Sequence, residues 1–260
     1  MSEATDRLLQ LMRQLRDPQH GCEWDRAQSF ETIVPHTIEE AYEVADAVER
    51  GDAAAIQDEL GDLLFQVVFQ ARIAEELGLF DFSGVANGIA DKLIARHPHI
   101  FAAETLGDEA RETRWERIKA DERKARGAAS ALDGVALALP AAMRADKLQK
   151  RAARVGFDWP DTAGPAAKVL EEIAELAAAT TDSDRAEEAG DLLFAAVNLV
   201  RAYGIPAEEA LRKANAKFER RFRAMEALAL AQGSAFDTLT LDQQEALWTD
   251  VKASEPGKSA

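Results

Sequence analysis

The chain is poor in residues that make covalent or soft-ligand frameworks. Cys22 is its sole cysteine, so no intrachain disulfide and no multi-cysteine zinc site can form. The four histidines, His20, His36, His97 and His99, do not share ligand spacing, and His97-Pro98-His99 reads as a helix stop. No apolar run approaches the ~20 residues that span a bilayer, and Met1 to Arg7 lacks the pattern of a secretory signal. The cytoplasm is the expected location. Positive charge is also scarce: 31 Lys and Arg stand against 47 Asp and Glu, a formal net charge of −16. That balance argues against nucleic acid or an anionic membrane as partner, since both call for a basic surface. A small anionic substrate stays open if a metal and locally placed cations receive it.

With 47% apolar and 30% charged residues, the composition is that of a globular protein. Nearly every segment reads as helix. Leu8, Leu11, Met12 and Leu15 repeat on one face of a 3.6-residue period, and 18–25 reads as a loop. A helix is expected from Pro35 to Arg50, ended by Gly51, and Asp52 caps the next. That helix runs to Leu77 with Leu60, Leu63, Leu64, Val67, Val68 and Ile73 expected inward. Further helices are expected at 84–96, 109–124, from 141, at 166–180, at 184–203 and from Pro206. Thr240 and Gln243 form a capping box for the last.

The same parts recur in the same order. Thr37-Ile38-Glu39-Glu40-Ala41-Tyr42-Glu43 followed by Glu59-Leu60-Gly61-Asp62 is matched by Val169-Leu170-Glu171-Glu172-Ile173-Ala174-Glu175 followed by Glu188-Ala189-Gly190-Asp191. Lys92 and Arg96 correspond to Lys217 and Arg221, Trp115 and Lys119 to Trp248 and Lys252, and Cys22-Glu23-Trp24-Asp25 loosely to Phe157-Asp158-Trp159-Pro160. A duplicated all-α domain follows: an N-terminal helical domain over 1–126, a linker over 127–139, and a C-terminal helical domain over 140–260.

Residues three apart share a helix face. If each helix pair packs antiparallel, Glu40, Glu43, Glu59 and Asp62 converge, as do Glu172, Glu175, Glu188 and Asp191. One isolated Glu-Glu-x-x-Glu describes an ordinary solvated face. Recurrence beside an apolar run changes the balance, because unpaired carboxylates near a buried face are costly. An all-oxygen set suits Mg²⁺, with Mn²⁺ as an alternative, while a di-iron bundle would place histidine in the motifs. Lys92 with Arg96, and Lys217 with Arg221, make either a polyphosphate clamp or a solvated basic face. Each Trp and Lys pair either places a nucleotide or packs as core. Gly61 and Gly190, inside helices, mark a close approach by backbone, metal or substrate, or close helix packing.

Taken together, these motifs resemble the MazG nucleoside triphosphate pyrophosphohydrolases. The likeness rests on Glu-x-x-Glu with Glu-x-x-Asp, on Asp58 to Phe65, on Lys92 to Phe101, on Lys213 to Phe222 and on Trp248 to Lys252, so it covers almost the whole chain in a two-domain form. The resemblance implies an all-α pyrophosphatase fold, Mg²⁺ dependence, conversion of NTP or dNTP to monophosphate and pyrophosphate, a homodimer, and a house-cleaning role. It implies metal ligation by Glu172, Glu175, Glu188 and Asp191, phosphate contacts from Lys217, Arg221 and Lys252, and nucleotide placement by Trp248. Glu40, Glu43, Glu59, Asp62, Lys92, Arg96, Trp115 and Lys119 are their first-half counterparts. Glu171, with Glu39 as its equivalent, is a candidate to orient the attacking water, although adjacent helical positions point about 100° apart. Asn215 has Ala90 in its equivalent place, which favours the second half as the stronger catalyst. The rival expectation is a helical interaction protein that senses nucleotide with little or no turnover.

Overall fold

The structure is a computed structural model that describes residues 3–101, 111–125 and 127–255, the side chains at 111–116 and 123 excepted. Its described residues form twelve α-helices and one 3-10 turn, with no strand. The chain divides into two compact units, residues 1–118 and 119–260.

In the first unit, α1 (Glu3–Leu15) and the short α2 (Glu23–Ala27) precede a helical hairpin of α3 (Phe30–Arg50) and α4 (Ala53–Glu76). The turn between the hairpin helices is the one its residues call for. Gly51 takes the left-handed conformation at φ 69°, and the Asp52 carboxylate accepts from the N–H groups of Ala54 and Ala55. Two corrections belong here. The short helix α2 begins within the stretch read as a loop and runs past it, and α3 starts at Phe30, not after Pro35. Ser29 caps α3 through a reciprocal box with Thr32. The N–H that Pro35 lacks would have served a first-turn carbonyl, which water reaches.

Met12, Ile33, Val68, Phe69 and Ile73 form the core, backed by Leu8, Leu9 and Phe65. Arg16 is almost fully buried beside it. Its guanidinium grips Glu76, donates to the carbonyls of Asp25 and Gln28, and lies 5.3 Å from the Phe69 ring centre. Contrary to the inward expectation, Leu60, Leu64 and Val67 are exposed. The helix α4 packs on α3, α1 and α5, and among the described residues these leave part of its apolar band uncovered. Beyond it, α5 (Phe82–Arg96) buries no residue, α6 (Pro98–Phe101) follows, and α7 spans Arg111–Ala125. The start of that last helix expected at Glu109 lies outside the described residues.

The second unit repeats the hairpin. The helix α8 (Ala141–Ala153) leads through the Gly156–Pro160 loop to α9 (Ala163–Ala178), which packs along α10 (Asp182–Ala202). Pro206 caps the long α11 (Ala207–Ala231), and a 3-10 turn at Phe236–Thr238 returns the chain to α12 (Leu241–Ser254). Thr240 and Gln243 form the expected capping box. Met225, Ala229, Leu247 and Val251 zip α11 to α12. Residues 127–139 fold back on this unit, where Arg151 donates to the carbonyls of Ala131 and Asp133.

Candidate metal and nucleotide site

Each hairpin gathers its acids. In the second unit, carboxylate oxygens of Glu172, Glu188 and Asp191 lie within 4.8 Å of one another. Glu172 is buried at 3% exposure, Glu188 is half-buried and Asp191 is open. Burial, then the charges of Glu175, Glu172 and Asp191, push the Glu188 carboxyl above the usual range. Glu175 thus belongs to the same cluster electrostatically. In the first unit, Glu40, Glu43 and Glu59 meet within the same 4.8 Å. Burial first, and then Glu43 and Asp62, raise Glu40; burial and the charges of Glu43, Asp58 and Asp62 raise Glu59. Carboxylates held this close gain by binding a cation or a proton. An all-oxygen donor set with no histidine or thiolate fits a hard divalent ion.

The two clusters differ in what surrounds them. In the first, the Gln66 amide, itself buried, donates to Glu40 at 3.4 Å, and Gln70 donates to Thr37 at 2.8 Å. Aligning the acids puts Ala195 where Gln66 stands. The small side chain leaves space: a cavity of about 460 Å³ opens beside Glu172 and Asp191, walled by Gln149, Trp159, Pro165, Phe194 and Ala195 among others. Aligning the same motifs puts Lys168 where His36 stands. Lys168 bridges Glu172 at 2.6 Å and Glu171 at 2.9 Å, and these bonds, Glu172's first, raise its pKa. His36 lies 3.6 Å from Glu39. The two residues expected to orient water, Glu171 and Glu39, are therefore solvent-facing and each has a basic neighbour on its own helix.

The expected phosphate and nucleotide residues fall elsewhere. Asn215 and Lys217 are exposed on α11, Lys252 is exposed on α12, and Trp248 is half-buried against Phe218. Arg221 is buried, 5.3 Å from the Trp248 ring centre, with its guanidinium held by Glu255 at 2.6 and 3.0 Å. This pairing brings the Glu255 carboxyl down to about 2. None of these five residues walls the cavity beside Glu172. In the first unit, Lys92 is exposed near the end of α5 and Arg96 is half-buried there. Lys119, the first residue of the second unit, lies on α7, and the Trp115 side chain is outside the described residues. Among the described residues, no neighbour comes within 4 Å of a Cβ placed at Gly61 or Gly190, so neither marks a close approach there.

Residues 28–101 match the MazG nucleotide pyrophosphohydrolase domain. Over 257 residues the chain is 50% identical to the nucleoside triphosphate pyrophosphohydrolase of Escherichia coli strain K12, covering 96% of this chain and 97% of that one. The chain belongs to the MazG family. It is also 40% identical over 250 residues to the Thermotoga maritima protein named nucleoside triphosphate pyrophosphohydrolase/pyrophosphatase MazG, at 96% of each length. A 39% match over 250 residues to Bacillus subtilis YabN spans 94% of this chain and 51% of that protein. Residues 147–218 match the phosphoribosyl-ATP pyrophosphohydrolase model, so the two halves of this MazG-family chain resemble different pyrophosphohydrolase models. Sequence reasoning passed over Lys168, Gln66, Gln149 and Arg201. For Gln66 and Ala195 the signal was present: both stand four residues after the repeated aspartate. A lysine four residues before Glu172 looks like any exposed helical ion pair.

Proposed function

We propose that this chain hydrolyses nucleoside triphosphates, with ribose or deoxyribose, to the monophosphate and pyrophosphate, and that α9 and α10 carry the stronger site. The observation that bears this reading is the buried Glu172, clustered with Glu188 and Asp191 beside a cavity of about 460 Å³. Glu172, Glu175, Glu188 and Asp191 would hold Mg²⁺, with Mn²⁺ as a substitute. A divalent ion bound there would neutralise triphosphate charge and favour the departing pyrophosphate. Glu171, steadied by Lys168, orients water toward the α-phosphorus. Lys217, Lys252 and Asn215 meet the phosphates, Trp248 helps place the nucleotide, and Arg221 joins them when it releases Glu255.

The first half of the chain keeps Glu40, Glu43, Glu59 and Asp62, with Lys92, Arg96, Trp115, Lys119 and Glu39 in the matching roles. Gln66 fills the space next to Glu40 there, which makes this unit the weaker or regulatory one. The active form is a homodimer. Leu170 and Leu193, each 69% exposed, and an open apolar groove of about 770 Å³ reaching Gly190 and Leu211 offer a second copy a surface. The cellular role is removal of surplus or aberrant nucleotides in the cytoplasm, without nucleic acid or membrane as partner. Among the described residues no helix is long and apolar enough to cross a membrane.

Hydrolysis of ATP in ¹⁸O-water with Mg²⁺ tests the chemistry. Label in the monophosphate, with unlabelled pyrophosphate, is expected. Release of free orthophosphate as the first product would overturn the proposal.

A further inference from the structure

We propose that the cavity beside Glu172 seats the base of the substrate, that Trp159 is its platform, and that the Asp158–Arg201 ion pair holds this platform in position. The inference rests on the pyrophosphohydrolase reading and adds where the base is held and what holds it.

The cavity, about 460 Å³, lies in the volume range of small-molecule sites. Glu172 and Asp191 stand at one part of its wall, and Leu148, Pro165 and Phe194 make much of the rest apolar. A triphosphate cannot be desolvated against such a wall, whereas an uncharged base can. The polyphosphate therefore stays with the acidic cluster and its cation, and the base takes the apolar chamber.

Trp159 is built into that chamber. A Cβ at Gly164, in the first turn of α9, would lie 2.0 Å from Trp159 Cδ1, so the ring rests on a place that only glycine leaves open. On its other flank the loop is fastened to α10. Arg201 donates to both Asp158 oxygens at 2.6 and 3.0 Å and also to Asn198 Oδ1 at 2.8 Å. The Arg201 side chain is 10% exposed and that of Asp158 32%, so the pair is partly shielded from the solvent that weakens surface ion pairs. Asp158 Oδ1 accepts from the Trp159 N–H at 3.0 Å, tying the pair to the next residue's backbone. Asp191 and Arg201 are on the same helix, about three turns or 15 Å apart. One rigid element thus carries both an acid of the metal cluster and the anchor of the aromatic wall.

The cavity also offers a polar contact. Gln149 is 7% exposed, its Nε2 donates to the Phe194 carbonyl at 2.9 Å, and its Oε1 has no partner. Phe194 fixes which end of the amide is the acceptor. A small turn of the Gln149 side chain brings Oε1 to an N–H on the base. Every standard base carries such a donor, so this contact admits all of them and disfavours a ring without one.

The test compares ATP with ribose 5-triphosphate, which keeps sugar and phosphates and lacks the base. Both substrates are measured on one enzyme preparation, so a loss of folded protein cancels in the ratio of kcat/KM values. Stacking predicts that wild type prefers ATP by roughly tenfold to hundredfold. Trp159→Ala and Asp158→Asn should collapse that preference, mainly through KM for ATP, while Trp159→Phe retains most of it. Gln149→Leu should reduce by about fivefold a preference for ATP over purine riboside triphosphate. An unchanged ATP preference in Trp159→Ala, or an equal fall for both substrates in Asp158→Asn, would overturn the proposal. If neither substrate is hydrolysed by wild type, the function itself fails, a different result from hydrolysis without base dependence.

Discussion

Glu188 shows how single carboxyl groups link stability to metal. Burial and four neighbouring acids raise its pKa in the folded state, so folding favours its protonated form. The stabilisation is complete below the unfolded carboxylate pKa and is lost as pH rises through the folded value. At neutral pH the metal-free cluster is therefore a source of repulsion, and a cation reverses it. Mg²⁺ at a hundred times its Kd should add about 2.7 kcal/mol, a melting rise of roughly 5–10 °C for a unit of this size. Glu188→Gln should melt higher than wild type without metal at pH 7 and gain much less from Mg²⁺. A metal-free melting point below that of wild type would contradict this account. At this scale the acids were legible because they recur. Lys168 was not, since it looks like any helical ion pair, and Arg201 and Gln149 were not, since each takes its meaning from residues about 43 to 45 positions away.

The helices differ more than their sequences suggest. The α3–α4 and α9–α10 hairpins share acids and spacing, yet Gln66 occupies the ground that Ala195 leaves open. Ala195→Gln should plug the second cavity as Gln66 fills the first. NTP turnover should fall at least tenfold, while overpacking costs about 1–3 kcal/mol of stability. Full turnover with a well-folded Ala195→Gln variant would show that the cavity has no part in the reaction. Helix ends were readable where a cap signals strongly, as at Gly51–Asp52 and Thr240–Gln243. The start of α3 was missed because Pro35 outweighed Ser29, whose box partner is Thr32 instead of the stronger Glu or Gln. Periodicity marked Leu60 and Leu64 as apolar-face residues but could not say that the described residues leave them exposed.

For the whole molecule, duplication explains the two acid clusters, and divergence at Gln66 and Ala195 explains why their surroundings differ. Both the all-α class and the repeat were legible from order and spacing alone. The pairing of Arg221 with Glu255 was not, because it joins residues thirty-four apart in sequence through a glutamate outside any motif. The central claim is that the acids of α9 and α10 carry the reaction while those of α3 and α4 do so weakly or not at all. The measurement that tests it most directly is pyrophosphate release from ATP with Mg²⁺ by wild type, Glu172→Gln and Glu40→Gln, with folding of each variant checked by its melting curve. Glu172→Gln is expected to lose at least a hundredfold in kcat while Glu40→Gln keeps most of its activity. Loss in Glu40→Gln with activity retained in Glu172→Gln would move the active site to the first unit and contradict the account.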